Sequence, residues 1–329
     1  MEKSKHYDVA LWQVHETEED CELIIRTNNG YAFYCRIFPQ HLQQSPGTTK
    51  YYFKCLNLLR SGEEQQDDFY PLIAQLLLST PTLPDARRPT LDQYLSPQHF
   101  VCDLEVIDEV PRPYLTENQK HGWSRPVVVV KDEFIKDLDQ WTQSYHPSDV
   151  QIIYHHPKDV LIKRPKKVLV DASKGSETTC FFKPFGLSLG PEHAKKELLT
   201  LRKVTEIPHA PEAWVCRLYG VVREGNMLMG MLFTWIDATG VLGRARAENS
   251  SSDMRKRWAA QISTSLEKLH DRDITWGDAK ADNVLIDRDN NAWVIDFGGS
   301  YTPGWVDKEK AGTLAGDAQG LAKILDILR

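Results

Sequence analysis

The chain has 329 residues, 41% of them apolar and 26% charged, with a formal net charge of −6. Such a length allows two domains, or one domain with an extension, and the composition is ordinary for a soluble globular protein. The negative charge argues against nucleic acid or an acidic membrane as partner, and no apolar stretch approaches the roughly 20 residues that span a bilayer. Six cysteines (Cys21, Cys35, Cys55, Cys102, Cys180, Cys216) are scattered without a C-x-x-C pair, which suits reduced thiols in a cytosolic or nuclear protein. The opening Met1-Glu2-Lys3-Ser4-Lys5-His6 has no apolar h-region, so no signal peptide is expected.

In chain order, residues 1–110 read as an N-terminal accessory region of α+β character. Cys21 to Ile25 and Tyr31 to Phe38 flank Thr27-Asn28-Asn29-Gly30, a hairpin signal. Phe69, Leu72, Ile73, Leu76 and Leu77 recur at helical spacing, and the proline-rich 79–89 reads as a connector. Nothing in this region carries recognisable chemistry; it is either a packed appendage or a docking module.

A helix is predicted around Phe134, Ile135, Leu138 and Trp141. Strands are predicted at Val150 to Tyr154, Val160 to Ile162, Val168 to Val170 and Cys180 to Phe182, with a turn around Gly175. A helix follows from Pro191 to Val204, started by its proline. Strands come next at Trp214 to Val222 and Met227 to Phe233. A long helix covers Asp253 to His270, with Met254, Trp258, Ile262, Leu266 and Leu269 on one face and Ser250 with Asp253 as a capping box. Residues 320–328, with Leu314 before them, suggest one final helix.

The richest segment is Asp278-Ala279-Lys280-Ala281-Asp282-Asn283-Val284-Leu285-Ile286-Asp287, followed by a polar turn and Trp293-Val294-Ile295-Asp296-Phe297-Gly298. Two short β-prone runs around Arg288-Asp289-Asn290-Asn291 read as an antiparallel hairpin. That pairing sets Asn283 beside Asp296, an amide and a carboxylate that make a hard oxygen site suited to Mg²⁺. Asp278 and Lys280 come just before the hairpin. A base, a cation and a metal pair at one point suit phosphoryl transfer, which depends on positioning and charge neutralisation.

Here the sequence resembles the protein-kinase family. Asp278-x-Lys280-x-x-Asn283 matches the catalytic-loop pattern and Asp296-Phe297-Gly298 the D-F-G motif. The wider wording, Trp276-Gly277-Asp278-Ala279-Lys280, looks most like the atypical kinase-like proteins of filamentous fungi. The resemblance implies an α+β, protein-kinase-like bilobal fold. A β-rich N-lobe would occupy 111–236 and a minimal helical C-lobe 237–329, with the N-terminal α+β extension before them. It implies Asp278 as catalytic base, Lys280 as the cation on the moving phosphoryl, and Asn283 and Asp296 as Mg²⁺ ligands. Lys183 would contact the nucleotide phosphates, with Glu197, beside the apolar stripe of its helix, as partner and Glu192 as fallback. Phe233, Thr234 and Trp235 would form the hinge against the adenine of ATP. Asp237 would lie near the ribose or at the surface, and Asp317 would support the catalytic-loop backbone.

The pattern departs from the family in three ways. No glycine-rich phosphate loop precedes Lys183; His155-His156-Pro157-Lys158 is one candidate equivalent. Trp276 and Gly277 replace the H-R of H-R-D, which argues against activation by phosphorylation at Ser300, Tyr301, Thr302 or Thr313. The segment from Phe297 to Asp317 is short and has no A-P-E, and without the helices that follow in full kinases Leu321, Ile324 and Leu328 are expected to have fewer packing partners, with a dimer or the N-terminal region as cover. The expected activity is Mg-ATP-dependent transfer of the γ-phosphoryl to a hydroxyl, with protein Ser/Thr favoured. The alternatives are a small-molecule kinase of the same fold and a pseudokinase that binds nucleotide or a partner. A cytoplasmic location is expected; the basic run Lys163-Arg164-Pro165-Lys166-Lys167 is the one hint of nuclear import. The oligomeric state is left open.

Overall fold

A computed structural model describes residues 7–14, 19–28, 30–61, 89–116, 127–171, 176–185, 190–297 and 301–329. The helix expected on Phe69 to Leu77, most of the connector 79–89, the turn around Gly175, and Gly298 and Ser300 lie outside the described residues. No helix among the described residues is long and apolar enough to cross a membrane.

The first elements are β1 (Tyr7–Val14), β2 (Cys21–Thr27), β3 (Tyr31–Ile37), α1 (Pro46–Ser61), α2 (Leu91–Leu95), β4 (Gln98–Ile107) and β5 (Val110–Leu115). Then come β6 (Val128–Val129), α3 (Asp132–Leu138), β7 (Gln143–Tyr145), β8 (Val150–Ile153), β9 (Lys167–Asp171) and β10 (Glu177–Pro184). The remainder is α4 (Gly190–Val204), β11 (Leu218–Glu224), β12 (Met227–Thr234), β13 (Ala238–Val241), α5 (Arg244–Glu248), α6 (Ser252–His270), β14 (Val284–Asp287), β15 (Ala292–Val294) and α7 (Leu314–Leu328). These form two compact units, one of residues 1–125 with 147–175, the other of 126–146 with 176–329.

The first unit holds a five-stranded sheet in the order β1-β2-β3-β4-β5. Alternation along its strands turns Cys21, Leu23 and Ile25, then Phe33, Cys35 and Ile37, then Cys102, Leu104 and Val106, onto one buried face. Tyr52, Cys55 and Leu56 of α1 join the same core. Helix α1 escapes a sequence reading because Ser45-Pro46-Gly47 looks like a turn. The carboxylate of Glu109 secures its start, accepting from the N–H groups of Gly47 (3.0 Å) and Thr48 (2.7 Å). Strand β5 is hidden by Pro111 and Pro113, which an edge strand tolerates. The strand expected at Val160 to Ile162 is instead a turn: Leu161 takes φ 57° and buries its side chain.

In the second unit β7, β11, β12 and β10 lie side by side, and β6 also pairs with β12. Helix α4 contributes a stripe of Ala194, Leu198, Leu201 and Val204 to the core. Helix α6 buries the expected face of Trp258, Ile262, Leu266 and Leu269; its cap is Ser251 rather than Ser250, accepting from Met254 N–H at 3.3 Å. Polar clamps dock this helix on the β14–β15 turn. Trp258 Nε1 donates to Asn290 O (3.0 Å), and Gln261 accepts from Ala292 N–H (2.9 Å) while donating to Asn291 Oδ1 (3.0 Å). Arg257 also donates to Asn291 Oδ1. The last helix finds its cover within this unit: Ile324 and Leu328 are buried in this core, with Leu321 packed against it.

Arg217 fastens the C-terminal end of α4. Its guanidinium donates to the carbonyls of Val204 (2.6 Å), Ile207 (2.7 Å) and Pro208 (2.5 Å). The first closes the last residue of the helix and the other two fix the turn that leaves it, where the Val204 carbonyl also accepts from Ile207 N–H at 3.1 Å. Arg217→Ala should therefore lower stability by about 1–3 kcal/mol, read from the urea midpoint at unchanged m-value.

Candidate active site

Strand β10 carries Lys183 opposite Met231 of β12. Its ammonium reaches two carboxylates, Glu197 Oε1 at 2.9 Å and Asp296 Oδ1 at 2.5 Å. Glu197 leaves α4 beside the buried Ala194 and Leu198, so its charge faces the core side and needs a cation. Burial works against the charged form of Lys183, and Glu197 and Asp296 more than offset it, leaving its pKa above the ordinary 10.5.

The hairpin of β14 and β15 pairs Val284 with Val294. The next bond runs from Ile295 N–H to Asn283 O at 3.1 Å, so Asn283 faces Ile295 and not Asp296 as the sequence suggested. The strand stops there because Asp296 turns to φ 64°, in the left-handed region. Its N–H is held by the thiol of Cys216, a group that burial pushes up to about 12 and so keeps protonated. Asn283 spends its amide nitrogen on Asp278, donating to the backbone oxygen at 2.9 Å and to Oδ2 at 3.2 Å. That leaves its Oδ1 as the free donor atom for a cation.

Asp278 is the hub of a buried polar cluster. Lys280 Nζ donates to its Oδ2 at 2.6 Å, and the Thr302 hydroxyl donates to its Oδ1 at 2.7 Å. Lys280 donates in turn to Thr302 Oγ1 at 2.8 Å. Thr302 appeared in the sequence only among candidate control sites. Its contact with Asp278 follows from how the chain returns after Phe297, which no spacing reveals.

Two residues of α7 hold the backbone under this cluster. Asp317, almost fully buried, accepts from Trp276 N–H (2.7 Å) and Gly277 N–H (2.8 Å), and His270 Nε2 lies 3.0 Å from it. One turn on, Gly320 lies so close that a Cβ there would stand 2.2 Å from Ala279 O. Trp276, where a kinase carries histidine, is wholly buried and donates from Nε1 to Ile295 O at 2.9 Å. It ties the segment carrying Asp278 to the one carrying Asp296.

The residues expected at the adenine edge sit where β12 ends. Phe233 is buried, Thr234 is exposed with its N–H donated to Arg217 O at 3.0 Å, and Trp235 follows the strand. Asp237 spends its carboxylate on Arg288 at 2.6 Å. Glu192 pairs with Lys195 at 2.7 Å on the surface, which leaves Glu197 as the partner of Lys183. Among the described residues no group of three or more His, Cys, Asp or Glu could hold a metal ion. The oxygen donors of Asn283 and Asp296 suit Mg²⁺, which keeps several waters and needs few protein ligands.

Residues 187–313 match the family model of the protein kinase domain. Of the residues above, Glu197, Asp278, Lys280, Asn283, Asp296 and Thr302 fall inside that range, whereas Lys183 precedes it. The chain is 26% identical over 114 residues to cAMP-dependent protein kinase type 3 of Saccharomyces cerevisiae, which covers 34% of this chain and 27% of that protein. It is 37% identical over 75 residues to 3-phosphoinositide-dependent protein kinase 1 of Caenorhabditis elegans, covering 22% of this chain and 12% of that protein. It is 36% identical over 72 residues to serine/threonine-protein kinase SCH9 of Saccharomyces cerevisiae, covering 22% and 8%. The chain thus spans between 8% and 27% of the length of these curated relatives. Together these findings support the protein-kinase superfamily, and the fold is α+β and protein-kinase-like.

Two outcomes test this arrangement. Asp317→Ala strands two buried N–H groups, at about 1–3 kcal/mol each, and should lower the urea midpoint accordingly. The stability that Lys183 contributes is complete below its ordinary pKa and is lost as pH rises through the raised folded value. Lys183→Met should therefore give a flatter alkaline limb in stability against pH, measured by denaturation from neutral pH to about pH 12.

Proposed function

We propose that this chain is a Mg-ATP-dependent phosphotransferase that moves the γ-phosphoryl group to a hydroxyl, with protein serine or threonine as the favoured acceptor. One observation carries the reading: the Thr302 hydroxyl lies between Asp278, which accepts its proton at 2.7 Å, and Lys280, which donates to its oxygen at 2.8 Å. An alcohol about to be phosphorylated needs such a pair, a carboxylate to orient and take the proton and a cation beside the oxygen.

In this proposal Asp278 orients the acceptor and takes its proton, while Asn283 and Thr302 hold the carboxylate in one plane. Lys280 offers positive charge to the transferring group. Lys183, oriented by Glu197, grips the nucleotide phosphates. Asn283 and Asp296 hold Mg²⁺, which supplies charge neutralisation on the phosphate oxygens when bound. The β12 end at Phe233, Thr234 and Trp235 supplies the adenine edge. The N–H of Thr234 is already used within the protein, donating to Arg217 O.

The functional division that goes with this reading is an accessory region of 1–110, an N-lobe of 111–236 and a shortened C-lobe of 237–329. The likeness to atypical kinases of filamentous fungi rests on Trp276-Gly277-Asp278-Ala279-Lys280. A cytoplasmic location is inferred from the cysteine pattern. The preference for serine or threonine draws on the printed name of one relative, a serine/threonine-protein kinase. A small-molecule acceptor is the second reading, favoured by the short segment between Phe297 and Asp317.

The test combines thermal shift with ATP and Mg²⁺, γ-phosphate labelling of a serine/threonine peptide library and of a cell extract, and the variant Asp278→Asn. We expect a thermal shift in both proteins, and labelling that falls about 10²–10⁴-fold in the variant. Turnover that survives Asp278→Asn removes the base assignment. A shift without any turnover makes the chain a nucleotide-binding pseudokinase. Labelled metabolites in place of proteins establish the second reading.

A further inference from the structure

Four of the six cysteines lie in one small core, that of the first unit: Cys21 on β2, Cys35 on β3, Cys55 on α1 and Cys102 on β4. Two of them are direct neighbours. Strands β3 and β4 run parallel, in a register that sets Cys35 opposite Cys102, with both side chains on the core face. Adjacent strands are about 4.8 Å apart, within the Cα separation of about 4.4–6.8 Å that a disulfide spans. The two thiols are already hydrogen-bonded to each other.

That bond makes them unequal. Burial, and the proton it shares with its partner, push the Cys35 thiol well up. By accepting that hydrogen bond, Cys102 is held below the usual thiol range. A lone buried thiol is inert; here two sulfurs lie side by side across the β3–β4 pairing. Both thiols are buried, so a peroxide reaches them only when the sheet opens locally. Cys102 lies opposite Leu115, the last residue of edge strand β5, and Leu115 is 59% exposed. The end of an edge strand carrying two prolines is a place where a sheet opens locally.

We propose that Cys35 and Cys102 are a redox-active pair that closes to a reversible disulfide between β3 and β4 on exposure to a peroxide. The Cys102 thiolate attacks one oxygen of hydrogen peroxide, the O–O bond breaks, and a sulfenic acid forms as the second oxygen leaves and is protonated to water. The sulfur of Cys35 then attacks the Cys102 sulfur. The S–S bond forms, the S–O bond breaks, and the hydroxide released takes the Cys35 proton to become the second water. In sum, two thiols lose two electrons and two protons, and the peroxide is reduced to two waters.

The experiment treats the folded 329-residue chain with hydrogen peroxide, blocks free thiols under denaturing conditions, and maps the peptides by mass spectrometry without and with reductant. The expected result is a Cys35–Cys102 linked pair, two hydrogens lighter than the separate peptides, that dithiothreitol releases. It should form before Cys180 or Cys216 is modified. The oxidised protein should also unfold at a higher temperature, since the crosslink restricts the unfolded chain. In Cys35→Ser, which keeps a donor beside Cys102, a sulfenic-acid probe should label Cys102 instead. Free Cys35 and Cys102 after treatment, or linkage of either to Cys21 or Cys55, overturns the proposal in the unaltered protein, whatever the variant does.

Discussion

A carboxylate buried inside the second unit has to be satisfied, and how it is satisfied decides where Asp278 and Lys280 stand. Asp317 lies at the start of α7, where the N-terminal end of a helix favours negative charge. It spends its oxygens on the backbone N–H groups of Trp276 and Gly277, the two residues immediately before Asp278. An ionised group in a low-dielectric core tolerates little displacement, because losing either bond exposes its full desolvation cost. The closeness of Gly320 to Ala279 fixes the same loop by contact. Helix α7 is therefore the floor on which Asp278 and Lys280 are set.

The charges nearby form two groups in which each charge meets an opposite one. Glu197 and Asp296 meet at Lys183; Asp278 meets Lys280, Asn283 and Thr302. Isolated exposed ion pairs contribute little to stability. These are partly buried, share partners and come from four separate stretches of chain, so their main effect is positional. Trp276 links the two halves of the chain through Ile295. The strained φ of Asp296 fits such a role, since a residue in that region persists only where its surroundings determine it.

The first unit follows a plainer logic. One face of its sheet and one face of α1 make a core whose four thiols serve as small apolar fillers. That the strand register places two of them in contact is a consequence of pairing between segments more than sixty residues apart, Arg36 with Asp103 and Cys35 with Cys102.

The sequence by itself determined whatever rests on local pattern. The β14–β15 hairpin, the buried stripes of α4 and α6, the pairing of Lys183 with Glu197 and the closeness of Asp278, Lys280 and Asn283 were legible, because period, turn chemistry and motif spacing act over a few residues. Local pattern misled where a proline or glycine began a helix, as at Pro46, or sat in an edge strand, as at Pro111 and Pro113. It also misled where a single left-handed residue, Leu161 or Asp296, ended a run that looked extended. Only the tertiary structure decided that Thr302 bridges Asp278 and Lys280, that Ile324 and Leu328 are fully packed, that Arg217 holds the end of α4, and that Cys35 faces Cys102. Each of these joins segments distant in the chain, and the energy of such contacts comes from burial and polar satisfaction in three dimensions, which one-dimensional spacing does not encode.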